Sequence, residues 1–240
     1  RVHVWIACLE RSPADQTMLY GLLSADEQER ATRFYFDLDR QRFIASRGLL
    51  RQILGRYLNC DPQAIAFSYA ERGKPLLGGD GDSQAVQFNL SHSGAIALYA
   101  IGQDRRIGID IEQIRPMPTA DRLAQRFFSS REHAHLQTLD APTQQRDFFR
   151  YWTCKEAYVK ATGDGLALPV AQVEVLLDGD RPNSARFVSI SGSVAEAKGW
   201  ALHLLDPQEG YTGAIAVEGH DWDLRCWQMP ATFEEWVRLG

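Results

Sequence analysis

Apolar and β-branched side chains crowd the first residues, VHVWIACL, and predict a strand from Val2 to Leu9. Ser24 followed by Glu27 forms a capping-box signature, which opens a helix running to about Phe36. Phe43, Leu50, Ile53, Leu54 and Tyr57 recur at helical spacing and predict a second helix over about Arg40 to Leu58. Gly73-Lys74-Pro75 and the run Gly78 to Ser83 are turn signals. Strands are expected at about Val86 to Leu90, Ala95 to Ile101 and Ile107 to Ile111.

The order then restarts. Phe128-Ser129 with Glu132 is a further capping box, and a long helix is expected over about Thr143 to Thr162. Strands are expected near Val173, Phe187, Ala201 and Ala214. Set side by side, LSADE…RQRFIASRGLLRQILG and FSSRE…QRDFFRYWTCKEAYVKATG share an order: capped helix, gap, long helix ending in glycine. The offset is about 105 residues, Ser24 against Ser129, at low identity. We therefore expect an α+β protein of two similar α/β halves about a pseudo-twofold axis, residues 1–105 and 106–240. Pockets form readily at such a seam. Each half can supply its neighbour's surface, which favours a monomer.

At 240 residues the chain suits one large domain or two small ones. Its hydrophobic fraction of 45% and charged fraction of 24% are those of an ordinary soluble protein. No apolar run approaches the roughly 18 residues of a membrane span, and the start lacks the form of a signal peptide. The missing initiator Met suggests trimming or a disordered tip. Cys8, Cys60, Cys154 and Cys226 are scattered without a CxxC, which argues against zinc and disulfides and for a reducing cytoplasm. A net charge of -5 disfavours nucleic acid as a partner. The basic residues are almost all arginine; the lysines are Lys74, Lys155, Lys160 and Lys198.

Alternation along Ile107-Gly108-Ile109-Asp110-Ile111-Glu112 puts Asp110 and Glu112 on one face of a strand, with Ile109 and Ile111 on the other. Two carboxylates side by side suit a Mg²⁺ ion, or simply mark a strand emerging into solvent. On the long helix, Glu156 and Lys160 are four apart and share a face, with Lys155 beside them. That could be an ordinary surface pair, yet Tyr151, Trp152, Ala157, Tyr158, Val159 and Ala161 make this helix largely apolar, and a buried charge needs a partner. If Glu156 completes a triad with Asp110 and Glu112, Lys155 and Lys160 are left for phosphate oxygens, the recurring kit of phosphoryl transfer. Phe88-Asn89-Leu90-Ser91-His92-Ser93 ends a strand with groups able to donate to phosphate, or makes a turn. It lacks the G-x-S-x-G elbow of a serine nucleophile. Arg40, Arg42, Arg47 and Arg51 crowd one helix.

Together, Gly73-Lys74-Pro75, Phe88 to Ser93, Gly108 to Glu112 and Trp152-Thr153-Cys154-Lys155-Glu156-Ala157…Lys160…Gly163-Asp164-Gly165-Leu166 resemble the surfactin-type 4'-phosphopantetheinyl transferases. The motifs fall in that family's order and cover nearly the whole chain. The resemblance implies that family's fold, coenzyme A bound where the halves meet, and transfer of the phosphopantetheine arm to a serine of an apo acyl or peptidyl carrier protein, releasing 3',5'-ADP. It implies Asp110, Glu112 and Glu156 as ligands of Mg²⁺ (Mn²⁺ being possible), with Asp110, Glu156 and Lys160 catalytic. Lys155 and Lys160 would meet the pyrophosphate. Gly73, Lys74 and Pro75 would line the adenine and ribose, and Ser91 and His92 the nucleotide phosphates. Arg42 and Arg47 are candidates for the 3'-phosphate, and the loop Gly78 to Ser83 reads as a variable insertion. The stretch Met117 to Phe128, with Met117, Leu123 and Phe127, is the candidate carrier-docking surface.

Two other functions use the same residues. A Mg²⁺-dependent nucleotide pyrophosphohydrolase would release 3',5'-ADP from coenzyme A without a carrier. A non-catalytic carrier-binding module would have lost one of the acids, and none is missing.

Overall fold

Alternation along the strands decides how the layers stack. The structure is a computed structural model and describes residues 1–70, 73–78, 85–163, 165, 169–178 and 183–238. Residues 79–83 of the expected insertion, and Asp164 and Leu166 of the long motif, lie outside the described residues. The first half runs β1 (Val2–Cys8), α1 (Pro13–Gly21), α2 (Ala25–Thr32), α3 (Asp37–Leu58), β2 (Phe67–Tyr69), β3 (Pro75–Leu77), β4 (Val86–Ser93) and β5 (Ile96–Gln103). The second repeats that order with β6 (Ile107–Gln113), α4 (Ala120–Phe127), α5 (Ser130–Gln137), α6 (Ala141–Thr162), β7 (Val173–Leu177), β8 (Ala185–Ile190), a short α7 (Val194–Lys198), β9 (Trp200–Leu205) and β10 (Tyr211–Glu218).

Each half builds the same sheet. β5 lies between β1 and β4, and β10 lies between β6 and β9, all antiparallel. Val2, Val4, Ile96, Leu98 and Ala100 of the first sheet meet Ile107, Ile109, Ile111, Ile215 and Val217 of the second in one buried core. That core is the seam. The alternate residues Ala97, Tyr99 and Ile101 face α3, and Ala214 and Ala216 face α6. Four layers result: helix, sheet, sheet, helix. The central strands are buried on both faces, so β5 and β10 read as continuous apolar runs rather than alternating ones.

α3 and α6 are each 22 residues long and end in a left-handed residue, Asn59 at φ 49° and Gly163 at φ 78°. Their anchoring also repeats. Glu27, from the α2 capping box, accepts from Arg51 Nε at 2.6 Å. Arg51 also donates to the carbonyls of Pro62 and Ile65. Glu132, from the α5 capping box, meets Lys155 Nζ at 2.9 Å, and Lys155 also donates to the carbonyls of Val170 and Val173. In both halves a buried helix cation ties the capping glutamate to the turn before a hairpin.

The boundary at 105/106 falls between β5 and β6, but the second segment does not stay in its own half. β11 (Leu224–Gln228) pairs parallel with β1 at the edge of the first sheet. α8 (Phe233–Arg238) follows, and its Trp236 is buried in the first core beneath the Arg56 guanidinium, 3.7 Å from the ring centroid. Residues 224–238 therefore belong structurally with residues 1–105. No helix among the described residues is long and apolar enough to cross a membrane.

Candidate active site

Gly108 sets the geometry of the site. A Cβ there would lie 2.1 Å from the Ala157 carbonyl oxygen and 2.3 Å from the Ala161 amide nitrogen, so the backbone of α6 rides directly on β6. Two residues along β6, on the same face, Asp110 points towards α6. Lys160 Nζ reaches it at 2.6 Å from Oδ1. Ser91, from β4 of the first half, donates to the same Oδ1 at 2.8 Å and accepts from Lys160 Nζ at 2.8 Å. Asp110 is buried, and its Oδ2 has no hydrogen-bond partner among the described residues.

The other expected acids are close by. Glu112 Oε2 accepts from Ser93 Oγ at 2.9 Å, and Arg115 approaches it at 3.6 Å. Burial pushes the Glu156 carboxyl above its usual range, helped by the charges of Asp110 and Glu112 and opposed by Lys160. Glu156 and Lys160 line a cleft of ≈ 290 Å³ together with Gly73, Lys74, Pro75, Asn89, Leu90, Val159, Gly163 and Gly165. The expected Gly-Lys-Pro turn thus lies in the same cleft as Glu156 and Lys160. The Lys74 ammonium, however, turns away from the opening. It donates to the carbonyls of Lys160 (2.6 Å), Ala161 (3.3 Å) and Ile107 (3.4 Å), capping the end of α6 from the other half.

Could this donor set hold a divalent cation? All-oxygen carboxylate ligands suit Mg²⁺, and a buried carboxylate oxygen without a partner is an acceptor awaiting one. Asp110 Oδ2 is such an atom. The residues fit the ion. The expected triad is nevertheless not closed: among the described residues no group of three or more His, Cys, Asp and Glu side chains stands ready to hold a metal. The Lys160 ammonium already lies against Asp110 Oδ1.

Burial argues against two expected contacts. Lys155 is fully buried in the second core against Glu132 and does not line the cleft. Arg47 is buried as well: its Nε donates to Glu27 at 2.9 Å and its guanidinium to Tyr69 at 2.5 Å. Arg42 differs, because its Nε has no partner among the described residues while its Nη2 bonds Glu10 at 3.1 Å. Its charge also acts on His92. Partial desolvation first, then Lys160 and Arg42, hold that imidazole below its usual value.

Met117, Leu123 and Phe127 are half-buried against the second core. The outward face of α4 carries the exposed Arg122 and Arg126, with Arg115 just before it. Reading the sequence missed these arginines, although their spacing of four along α4 puts them on one face.

Comparison with known proteins adds the following. Residues 106–216 match the family model described as the 4'-phosphopantetheinyl transferase superfamily. Residues 10–103 match the one described as 4'-phosphopantetheinyl transferase, N-terminal. The 4'-phosphopantetheinyl transferase HetI of Nostoc sp. is 42% identical over 226 residues, 94% of this chain and 91% of that one. The 4'-phosphopantetheinyl transferase Sfp of Bacillus subtilis (strain 168) is 33% identical over 169 residues, 70% of this chain and 73% of that one.

Proposed function

The chain belongs to the 4'-phosphopantetheinyl transferase superfamily, and from that premise we propose how its seam performs transfer of the phosphopantetheine arm from coenzyme A to a carrier-protein serine. The observation that carries the reading is the contact among Asp110, Lys160 and Ser91, which joins both halves at the edge of one cleft.

The carrier serine Oγ attacks the β-phosphorus of coenzyme A. A new P–O bond forms, and the bond to the bridging oxygen breaks. The electron pair leaves on 3',5'-ADP, and the serine proton passes to a base, for which Glu156 is the candidate in the cleft. Asp110, Glu112 and Glu156 would hold Mg²⁺, whose positive charge, when bound, offsets the charge developing on the diphosphate. Lys160 supplies a fixed ammonium beside them, held in place by Asp110 and Ser91 before substrate arrives. Gly73 and Pro75 wall the nucleotide end, Arg42 supplies positive charge for the 3'-phosphate, and His92 supplies a ring donor for the nucleotide phosphates.

An acidic carrier would dock over α4, where Arg115, Arg122 and Arg126 offer complementary charge around half-buried Leu123 and Phe127. A chain with these internal halves works as a monomer, in the cytoplasm where its substrates are made.

Incubation with coenzyme A, Mg²⁺ and apo carrier proteins, followed by mass spectrometry of the carriers, tests the reading. A carrier gaining the arm is expected, and Glu156→Gln abolishes it while leaving the fold. Release of 3',5'-ADP without any carrier would favour a pyrophosphohydrolase instead, and unchanged turnover in Glu156→Gln would refute its role.

A further inference from the structure

Resting on that reading, we propose that Ser93 and Ser91 are positioning residues that hold Glu112 and Asp110 ready for the divalent ion. This differs from the phosphate contact that the resemblance implies for Ser91.

Asn89, Ser91 and Ser93 occupy alternate positions of β4 and so share one face. All are spent on β6. Asn89 Oδ1 accepts from the Ile109 amide at 2.9 Å, Ser91 donates to Asp110, and Ser93 donates to Glu112. Ser93 Oγ also accepts from the Gln113 amide at 3.1 Å. β4 and β6 lie in different sheets and share no backbone ladder, so these side chains supply the register between the halves. A hydroxyl has one proton to give. In each serine it goes to a carboxylate.

The consequence falls on the ion. A glutamate at a strand end samples several rotamers, and fixing it in advance removes that ordering cost from binding. Losing a hydrogen-bond partner of a ligating carboxylate typically weakens metal affinity by about 10–100-fold. Glu112 is the more exposed acid, at 26% against 7% for Asp110, and depends more on its serine.

The test is Mn²⁺ titration of the whole protein without coenzyme A or carrier, following free Mn²⁺ by electron paramagnetic resonance. Ser93→Ala should bind about tenfold more weakly, and Ser93→Thr, which keeps the hydroxyl, should recover most of it. In turnover assays the Mn²⁺ concentration for half-maximal rate rises in Ser93→Ala, while the KM for coenzyme A stays put. Wild-type Mn²⁺ affinity in Ser93→Ala overturns this assignment alone. A raised KM for coenzyme A with unaltered Mn²⁺ binding would return the serine to the nucleotide. If the wild-type protein neither binds Mn²⁺ nor modifies a carrier, the parent reading falls too.

Discussion

Lys155 Nζ and the Glu132 carboxylate lie 2.9 Å apart with both side chains sealed in the second core, at 0% and 1% exposure. Removing either partner leaves a bare charge in the interior, at a cost of about 3–5 kcal/mol. Lys155→Met should therefore lower the urea midpoint steeply. Adding Glu132→Gln should recover part of the loss, because the glutamine can still accept from the Val175 amide. Protein that remains folded should keep its KM for coenzyme A, unlike Lys160→Met. A raised KM in stable Lys155→Met would place this lysine at the cleft after all.

Lys74 predicts a pH signature. Burial pulls its pKa from 10.5 down to about 8. Between those values the unfolded chain carries a proton that the folded chain has released, so stability rises with pH across that window. Below about pH 8 both states are protonated and the penalty of burying the ammonium is fully present. The stability of the wild type relative to Lys74→Met should climb from pH 8 to 10.5. Parallel profiles for the two proteins, measured by denaturant titration, would mean that burial does not hold this pKa down.

How much of this was legible beforehand? The alternation of β6 placed Asp110 and Glu112 on one face, and both capping boxes stand where Ser24 and Ser129 predicted them. Lys155, like Arg47, is buried away from the phosphate contact that the resemblance implies for it. An α-helix turns about 100° per residue, so Lys155 and Lys160, five apart, lie about 140° around from one another and cannot both face one diphosphate. Glu156 and Lys160, four apart, can. The repeat also held a clue, since Arg51 and Glu27 stand in the first half where Lys155 and Glu132 stand in the second. By contrast, α1, α8 and β11 left little trace. In α1 only Leu19 is buried, and β11 is an edge strand with most of its side chains exposed, so neither writes a clear apolar period.

The charge on α4 should steer the carrier. Arg122→Glu with Arg126→Glu is expected to lower kcat/KM for an acidic carrier by about tenfold at low salt, with the gap shrinking as ionic strength rises. The KM for coenzyme A should not move. Equal rates with the double variant at every salt concentration would remove α4 from the docking surface.

Gly108→Ala should be among the most damaging single-methyl changes. Its Cβ would meet backbone rather than a side chain that could swing aside. Overpacking of that kind costs about 1–3 kcal/mol or more. Pushing α6 off β6 also parts Lys160 from Asp110, so turnover should fall further than the loss of folded protein accounts for. Circular dichroism melts and kcat on the same samples separate the two effects.

The parallel pairing of β11 with β1 means that neither half is a self-sufficient fragment. A break introduced between Gln103 and Ile107 would release one piece short of an edge strand and another carrying a strand with nowhere to dock. Such fragments should regain a shared fold only when mixed, which makes the junction a natural place to split the enzyme into a complementation reporter.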